Sequence, residues 1–150
     1  MINILIKQFG NIEVDGDIKL LVKREFSLNS KTSLEFLNSE NEVIFKVHYF
    51  TLFNLNIKID YHDIKEEVSF FEKKMWIGEN EFQLQHNWLY WLTGSLCNIY
   101  YNEVKIAKIS CRNQMASITL TVENFITNKE ILTYMLIFLI IRYSDLDGGD

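Results

Sequence analysis

Proline is absent from this chain, which fits many strands joined by tight polar turns and leaves little room for long irregular loops. Cysteine is scarce. Cys97 and Cys111 both lie in strand-like sequence, and no Cys-x-x-Cys pair exists for zinc or redox work. They read as two small, buried, reduced thiols. If residues 101–103 turn between their strands, Cys97 faces about position 107 and Cys111 lies well beyond it. With only six glycines, no Gly-x-Gly-x-x-Gly or P-loop spacing is available to cradle a phosphate. Gly94-Ser95 lacks the flanking glycine of a nucleophile elbow. No stretch reaches the ~18 consecutive apolar residues of a membrane-spanning helix. The apolar start, residues 1–7, is too short for a signal-peptide core. The chain therefore reads as cytoplasmic, soluble and not membrane-spanning. Basic residues are also in deficit, 15 against 20 acidic for a net charge of −5. A nucleic-acid groove must neutralise several phosphates, so that balance speaks against nucleic acid as a partner.

What is present is apolar and aromatic: 48% of the 150 residues are apolar and 14% carry aromatic rings. That supports a single domain over residues 1–150 with a sizeable core, burying about 68–70% of its unfolded surface. The abundance of Ile, Asn and Lys points weakly to an AT-rich, bacterial genome. Residues 131–141 are almost wholly apolar. Thr127 followed by Glu130 has the form of a capping box just before them, and Arg142 suits the negative end of a helix dipole. This predicts a helix over about 128–143. A helix apolar on every side must be buried on every side.

Period-2 alternation runs through the first 122 residues. Ile18, Leu20, Val22 and Phe26 share one face; Val43, Phe45, Val47 and Tyr49 oppose Lys46 and His48. Leu55, Ile57 and Ile59 alternate with polar residues, as do Ala116, Ile118, Leu120 and Val122. Turn signals stand at residues 38–41, 78–80, 101–102 and 112–114. Residues 105–108 break the alternation and predict a bulge. From Phe82 a strand begins, and from Trp88 both faces become apolar, which predicts burial on both sides or cover by another element. The acidic stretch 145–150 reads as solvated. The expected fold is mainly β: an antiparallel β-barrel of about 10–12 short strands enclosing one buried hydrophobic C-terminal helix.

That order of elements, together with residues 125–142 as a strand-to-core-helix passage, resembles the tubby C-terminal-like superfamily. The group comprises tubby proteins, LURP-one-related proteins and phospholipid scramblases. The resemblance implies a β-barrel around a hydrophobic helix. In tubby proteins basic residues on the barrel bind phosphoinositide headgroups, but those positions have no residue-by-residue match here. Neither the calcium-binding nor the membrane segment of scramblases is recognisable.

Candidate chemistry is thin. His48, His62 and His86 are separated by 14 and 24 residues, with no spacing that makes them converge on a metal, and read as surface or rim histidines. The carboxylates Asp60, Asp63, Glu66, Glu67 and Glu72 sit among lysines, as in a solvated mixed-charge loop, where general acid/base work is disfavoured. The aromatics Trp88, Tyr90, Trp91, Tyr100 and Tyr101 read as core. One run stands apart: Phe70-Phe71-Glu72-Lys73-Lys74-Met75-Trp76 brackets two cations with rings. Phe71, Lys73, Lys74 and Trp76 are the candidate membrane- or lipid-contacting residues. The sequence thus points to a non-enzymatic binding module with no cofactor or metal. Its partner would be a protein of unknown identity or, as the alternative, a phospholipid headgroup or membrane surface.

Overall fold

A computed structural model describes residues 1–28, 31–50, 57–71 and 73–144. Twelve strands form one antiparallel sheet: β1 (Ile2–Lys7), β2 (Ile12–Gly16), β3 (Leu20–Phe26), β4 (Lys31–Leu37), β5 (Val43–Phe50), β6 (Lys58–His62), β7 (Val68–Phe71), β8 (Lys74–Ile77), β9 (Asn80–His86), β10 (Ser95–Tyr101), β11 (Val104–Gln114) and β12 (Ser117–Asn124). A four-residue helix α1 (Tyr90–Thr93) interrupts the β9–β10 connection, and α2 (Lys129–Tyr143) follows the last strand. Sequence neighbours pair throughout except β6 with β7. The two halves of the meander join in the middle, where β1 pairs with β12 from Ile2↔Val122 to Lys7↔Ser117.

Alternation decides which face turns inward. Ile2, Ile4, Ile6, Phe45, Val47, Tyr49, Leu120 and Val122 are fully buried. They meet α2, whose residues from Met135 to Ile141 are also buried without exception. The side chain that caps α2 is Asn128, one residue after the expected Thr127. Its Oδ1 accepts from the Ile131 N–H at 3.1 Å. Glu130 instead accepts from the Tyr134 hydroxyl one turn along the helix.

The expected closed barrel is not formed. Among the described residues no ladder joins β6 to β7, so the sheet keeps two edges. Yet only residues 63–67 link those edges, a stretch that reaches at most about 20 Å. The sheet must therefore curl until the edges are near. Side chains fill the seam where backbone would have paired: Ile64 and Val68 are buried, and Phe45 meets Phe70 edge-on at 6.3 Å and His62 in a stack at 6.0 Å. The five linking residues turn Ile64 into the core and lead straight to buried Val68 at the start of β7, which is not the course of a tight hairpin.

Other expectations shift by a residue or two. The β11–β12 turn is 115–116 rather than 112–114, with Gln114 opposite Ser117. Ala116 is thus a turn residue at φ +62° and not part of the inward face. The bulge in β11 is present, Ile99 facing Ala107 and Tyr100 facing Lys105. Cys97 stands opposite Ile109, two residues beyond the expected 107: one because Tyr101 pairs with Val104 and leaves only 102–103 in the turn, the other because of the bulge. Part of the run around Leu55, and the stretch 145–150, lie outside the described residues.

Candidate functional site

Strand directions sort the connections into two ends. At the upper end, where α2 finishes, lie the β1–β2, β3–β4, β5–β6, β7–β8, β9–β10 and β11–β12 connections. At the lower end, where α2 begins, lie the others. The two ends differ in chemistry. Every upper connection presents an exposed apolar side chain in it or at the strand end bounding it: Phe9, Leu28 beside Phe26, Phe50, Phe71, Trp88 with Trp91 and Leu92, and Met115. Four strand ends bounding the same connections are lysines: Lys7, Lys31, Lys58 and Lys74. The lower connections carry acids, among them Asp17, Glu40, Asp63, Glu66, Glu79 and Glu103, and by sequence Glu72 falls in the upper β7–β8 connection.

The β9–β10 connection dominates the upper end. Trp88 is 78% exposed, Trp91 70% and Leu92 68%, which overturns the expected burial on both sides. Among the described residues no element packs outside α1, whose residues are all exposed. Local hydrogen bonds nevertheless fix the backbone. Asn87 Oδ1 accepts from the Leu89 N–H at 3.1 Å, and Asn87 Nδ2 donates to Thr93 Oγ1 at 3.2 Å. Gly94, at φ +73°, closes the turn by donating its N–H to the Tyr90 carbonyl at 2.8 Å. His86 anchors the base. Its Nδ1 donates to the Leu96 carbonyl at 3.1 Å, and its ring stacks on Tyr90 at 5.9 Å. Burial, with Lys73 nearby, pushes His86 below the usual imidazole range.

Arg24 organises the same end from within, and alternation alone hid it. It stands on the inward face between Val22 and Phe26 and is 5% exposed, whereas Phe26, expected inside, is 50% exposed. The guanidinium donates to the Gly10 carbonyl at 3.2 Å, to the Ser144 carbonyl at 3.4 Å and to the Lys7 carbonyl. It also lies 5.0 Å from the Phe26 ring centroid. A cation suits this position because carbonyls at a helix C-terminus lack partners and carry negative partial charge. Tyr49 and Ser144 join hydroxyls beside it. Arg24 thus ties the β1–β2 turn to the end of α2, and Phe9 of that turn meets Phe26 edge-on at 6.4 Å.

The four residues singled out from sequence are divided between two settings. Phe71 and Lys73 are exposed at the upper end. Lys74, at the upper end of β8, and Trp76, two residues below it, lie on the outer wall and are half-buried. There Lys74 Nζ is 3.3 Å from Glu81 Oε1 and 5.8 Å from the Trp76 ring centroid.

Three further groupings bear on chemistry. Ser33, His48 and Asp60 line up across β4, β5 and β6, with Ser33 opposite His48 and His48 Nδ1 2.9 Å from Asp60. No hydrogen bond joins Ser33 to His48 among the described residues, and the three stand on the outer face of a sheet whose amides are engaged in its ladder. Below α2, a cavity of about 80 Å³ is lined by Glu66, Phe82, Tyr101, Glu130 and Tyr134, well short of the several hundred Å³ of a small-molecule site. Burial, the bond to Glu130 and the carboxylates of Asp63 and Glu66 hold the Tyr134 phenol above its ordinary range. Finally, Cys97 is buried and Cys111 half-buried, and neither is bridged. Burial pushes the Cys97 thiol up to about 12. The three histidines occupy three separate settings, and no group of three or more His, Cys, Asp or Glu among the described residues is arranged to hold a metal. No protein-family model, curated protein or solved structure matches this chain.

Proposed function

We propose that the chain is a non-enzymatic binding module that meets its partner through the upper end. The observation that carries this reading is the gathering of exposed apolar side chains there, with Trp88, Trp91 and Leu92 held outward by a well-bonded turn. Large exposed apolar patches on soluble domains mark contact surfaces, and tryptophan is the residue most enriched where binding energy concentrates. The open setting of Ser33, His48 and Asp60 on the outer face of the sheet favours binding over catalysis. Unbridged cysteines agree with a reducing, cytoplasmic setting.

We also keep the tubby C-terminal-like assignment as a proposal. Twelve antiparallel strands followed by a helix buried on all sides support it; the unpaired seam between β6 and β7 departs from a closed barrel.

A photo-cross-linking residue introduced at position 91, and separately at position 79 on the lower end, tests the contact surface in cells. We expect adducts, protein or lipid, from position 91 alone. Equal yields from both positions, or none from either, would count against it.

A further inference from the structure

We infer that the seam between β6 and β7 is a strand-acceptor slot: it takes one extended segment of a partner polypeptide, basic at the end that reaches residues 63–67. This surface is separate from the upper end and does not rest on the reading above. The first argument is the hydrogen-bonding chemistry of the two edges. The Asp63 N–H donates to the Ile44 carbonyl at 3.1 Å, and the Gly78 N–H to the Glu67 carbonyl at 2.8 Å. Peptide groups alternate in direction along an antiparallel strand. Those of His62 therefore turn away from β5, and those of Val68 and Phe70 away from β8. Both sets face the seam, where no ladder receives them among the described residues. Such a row of N–H and C=O groups is satisfied by the backbone of another extended chain.

The second argument is cover. Ile59 and His62 on β6 and Phe70 on β7 are only partly buried, whereas Ile2, Ile4 and Leu120 in the central strands are fully buried. His62 Nδ1 is enclosed and has no hydrogen-bond partner among the described residues. The rings of Phe45, His62 and Phe70 already form a floor, so an incoming strand lies over them with small side chains facing inward. Because β6 and β7 run in opposite directions, that strand is antiparallel to one and parallel to the other. Charge and shape then select the occupant. Asp63, Glu66 and Glu67 are exposed in the link, with Lys65 the one base among them, and Glu130 is exposed at the same end. The other end of the seam is mixed, with Lys58 and Lys73 exposed and Glu72 there by sequence. A basic residue of the partner therefore belongs beside the link. A second copy fits poorly: its own edge strands are each backed by a neighbour, and the slot has a wall on both sides.

The test pans a phage-displayed library of random twelve-residue peptides against the full chain and takes the tightest binder as the probe. We expect a peptide that alternates small with larger residues and carries lysine or arginine near one end. At saturation it should slow amide exchange at His62, Val68 and Phe70 by about tenfold or more. Ser69, whose N–H already faces β8, should show no such change. N-methylation of alternate peptide amides removes donors and leaves the side chains alone, so it should weaken binding at least about tenfold. Glu66→Lys/Glu67→Lys should weaken it about fivefold, while Trp91→Ser/Leu92→Ser at the upper end should leave it unchanged. Unchanged melting curves establish that these exposed variants still fold. A library that yields no binder, a binder that protects other amides instead, or binding indifferent to N-methylation would overturn the inference. A dimer in sedimentation equilibrium that protects these same amides would also overturn it, by making a second copy the occupant.

Discussion

At the scale of single residues, two buried polar groups set the behaviour most open to measurement. Arg24 gives hydrogen bonds to the carbonyls of Lys7, Gly10 and Ser144 in the interior. Replacing it with Met leaves those carbonyls short of a donor, so we expect Arg24→Met to destabilise the protein by about 2–4 kcal/mol, read from urea denaturation. A change below about 0.5 kcal/mol would show that water or neighbours replace it readily. The thiols give a second measurement. Cys97 is fully buried with its pKa raised by burial to about 12, while Cys111, also raised, is partly exposed. Because the thiolate is the nucleophile, iodoacetamide near neutral pH should modify Cys111 first and reach Cys97 only on unfolding.

The sign of the pH dependence follows from the same groups. The unfolded Cys97 ionises near pH 9 and the folded one near 12. Above pH 9 the unfolded state therefore gives up a proton that the folded state keeps. Stability is full below that point and falls as pH rises toward 12, with the buried phenol of Tyr143, also held above its ordinary range, adding to the loss. His86 acts at the other extreme. Its pKa lies below 6.5 in the fold, so its small contribution is present above pH 6.5 and declines as pH falls below it. Urea midpoints measured from pH 5 to pH 11 should form a plateau with shoulders on both sides.

Among the elements, α2 fills the space inside the curled sheet. Leu136 and Ile137 are 0% and 1% exposed, and an aspartate at either position would bury an uncompensated carboxylate at a cost of several kcal/mol. Leu136→Asp and Ile137→Asp should yield insoluble or unfolded chains, and removal of residues 127–150 should do the same. A truncated chain that melted cooperatively would contradict this. Capping offers a finer test. Because Asn128 and not Thr127 bonds the first turn, Asn128→Ala should cost about 1 kcal/mol, and Thr127→Ala only a fraction of that.

For the whole molecule, the seam decides whether the sheet holds its curl. Phe45 is fully buried and touches Phe36 on β4, His62 on β6 and Phe70 on β7. It therefore joins one edge of the sheet to the other without a backbone bond. Phe45→Ala should cost about 3–5 kcal/mol. It should also speed amide exchange in β6 and β7 more than in the central pair β1 and β12, since only the edges depend on side chains to stay together. Uniform acceleration across all strands would show that the seam is not a separate unit of stability.

The chain's local patterns determined much of this by themselves. Inward and outward residues of β5, β9 and β12 follow a period of two because the pleat turns successive side chains to opposite faces. The apolar run before Arg142 required a buried helix, since no face of it could tolerate water. The bulge in β11 was legible because it interrupts that period. Tertiary structure alone decided the rest, and for one recurring reason: pattern records whether a side chain is apolar, while burial depends on what lies opposite. Arg24 turns inward because the end of α2, some 120 residues later in the chain, offers it carbonyls, and nothing near Arg24 in sequence signals this. Trp88, Trp91 and Leu92 have the composition of a core, yet they stand in water because no element of the described chain reaches past the β9–β10 turn to cover them. The closing of the sheet by rings at the seam, and the gathering of exposed apolar side chains at one end, arise only when strands far apart in sequence are set side by side.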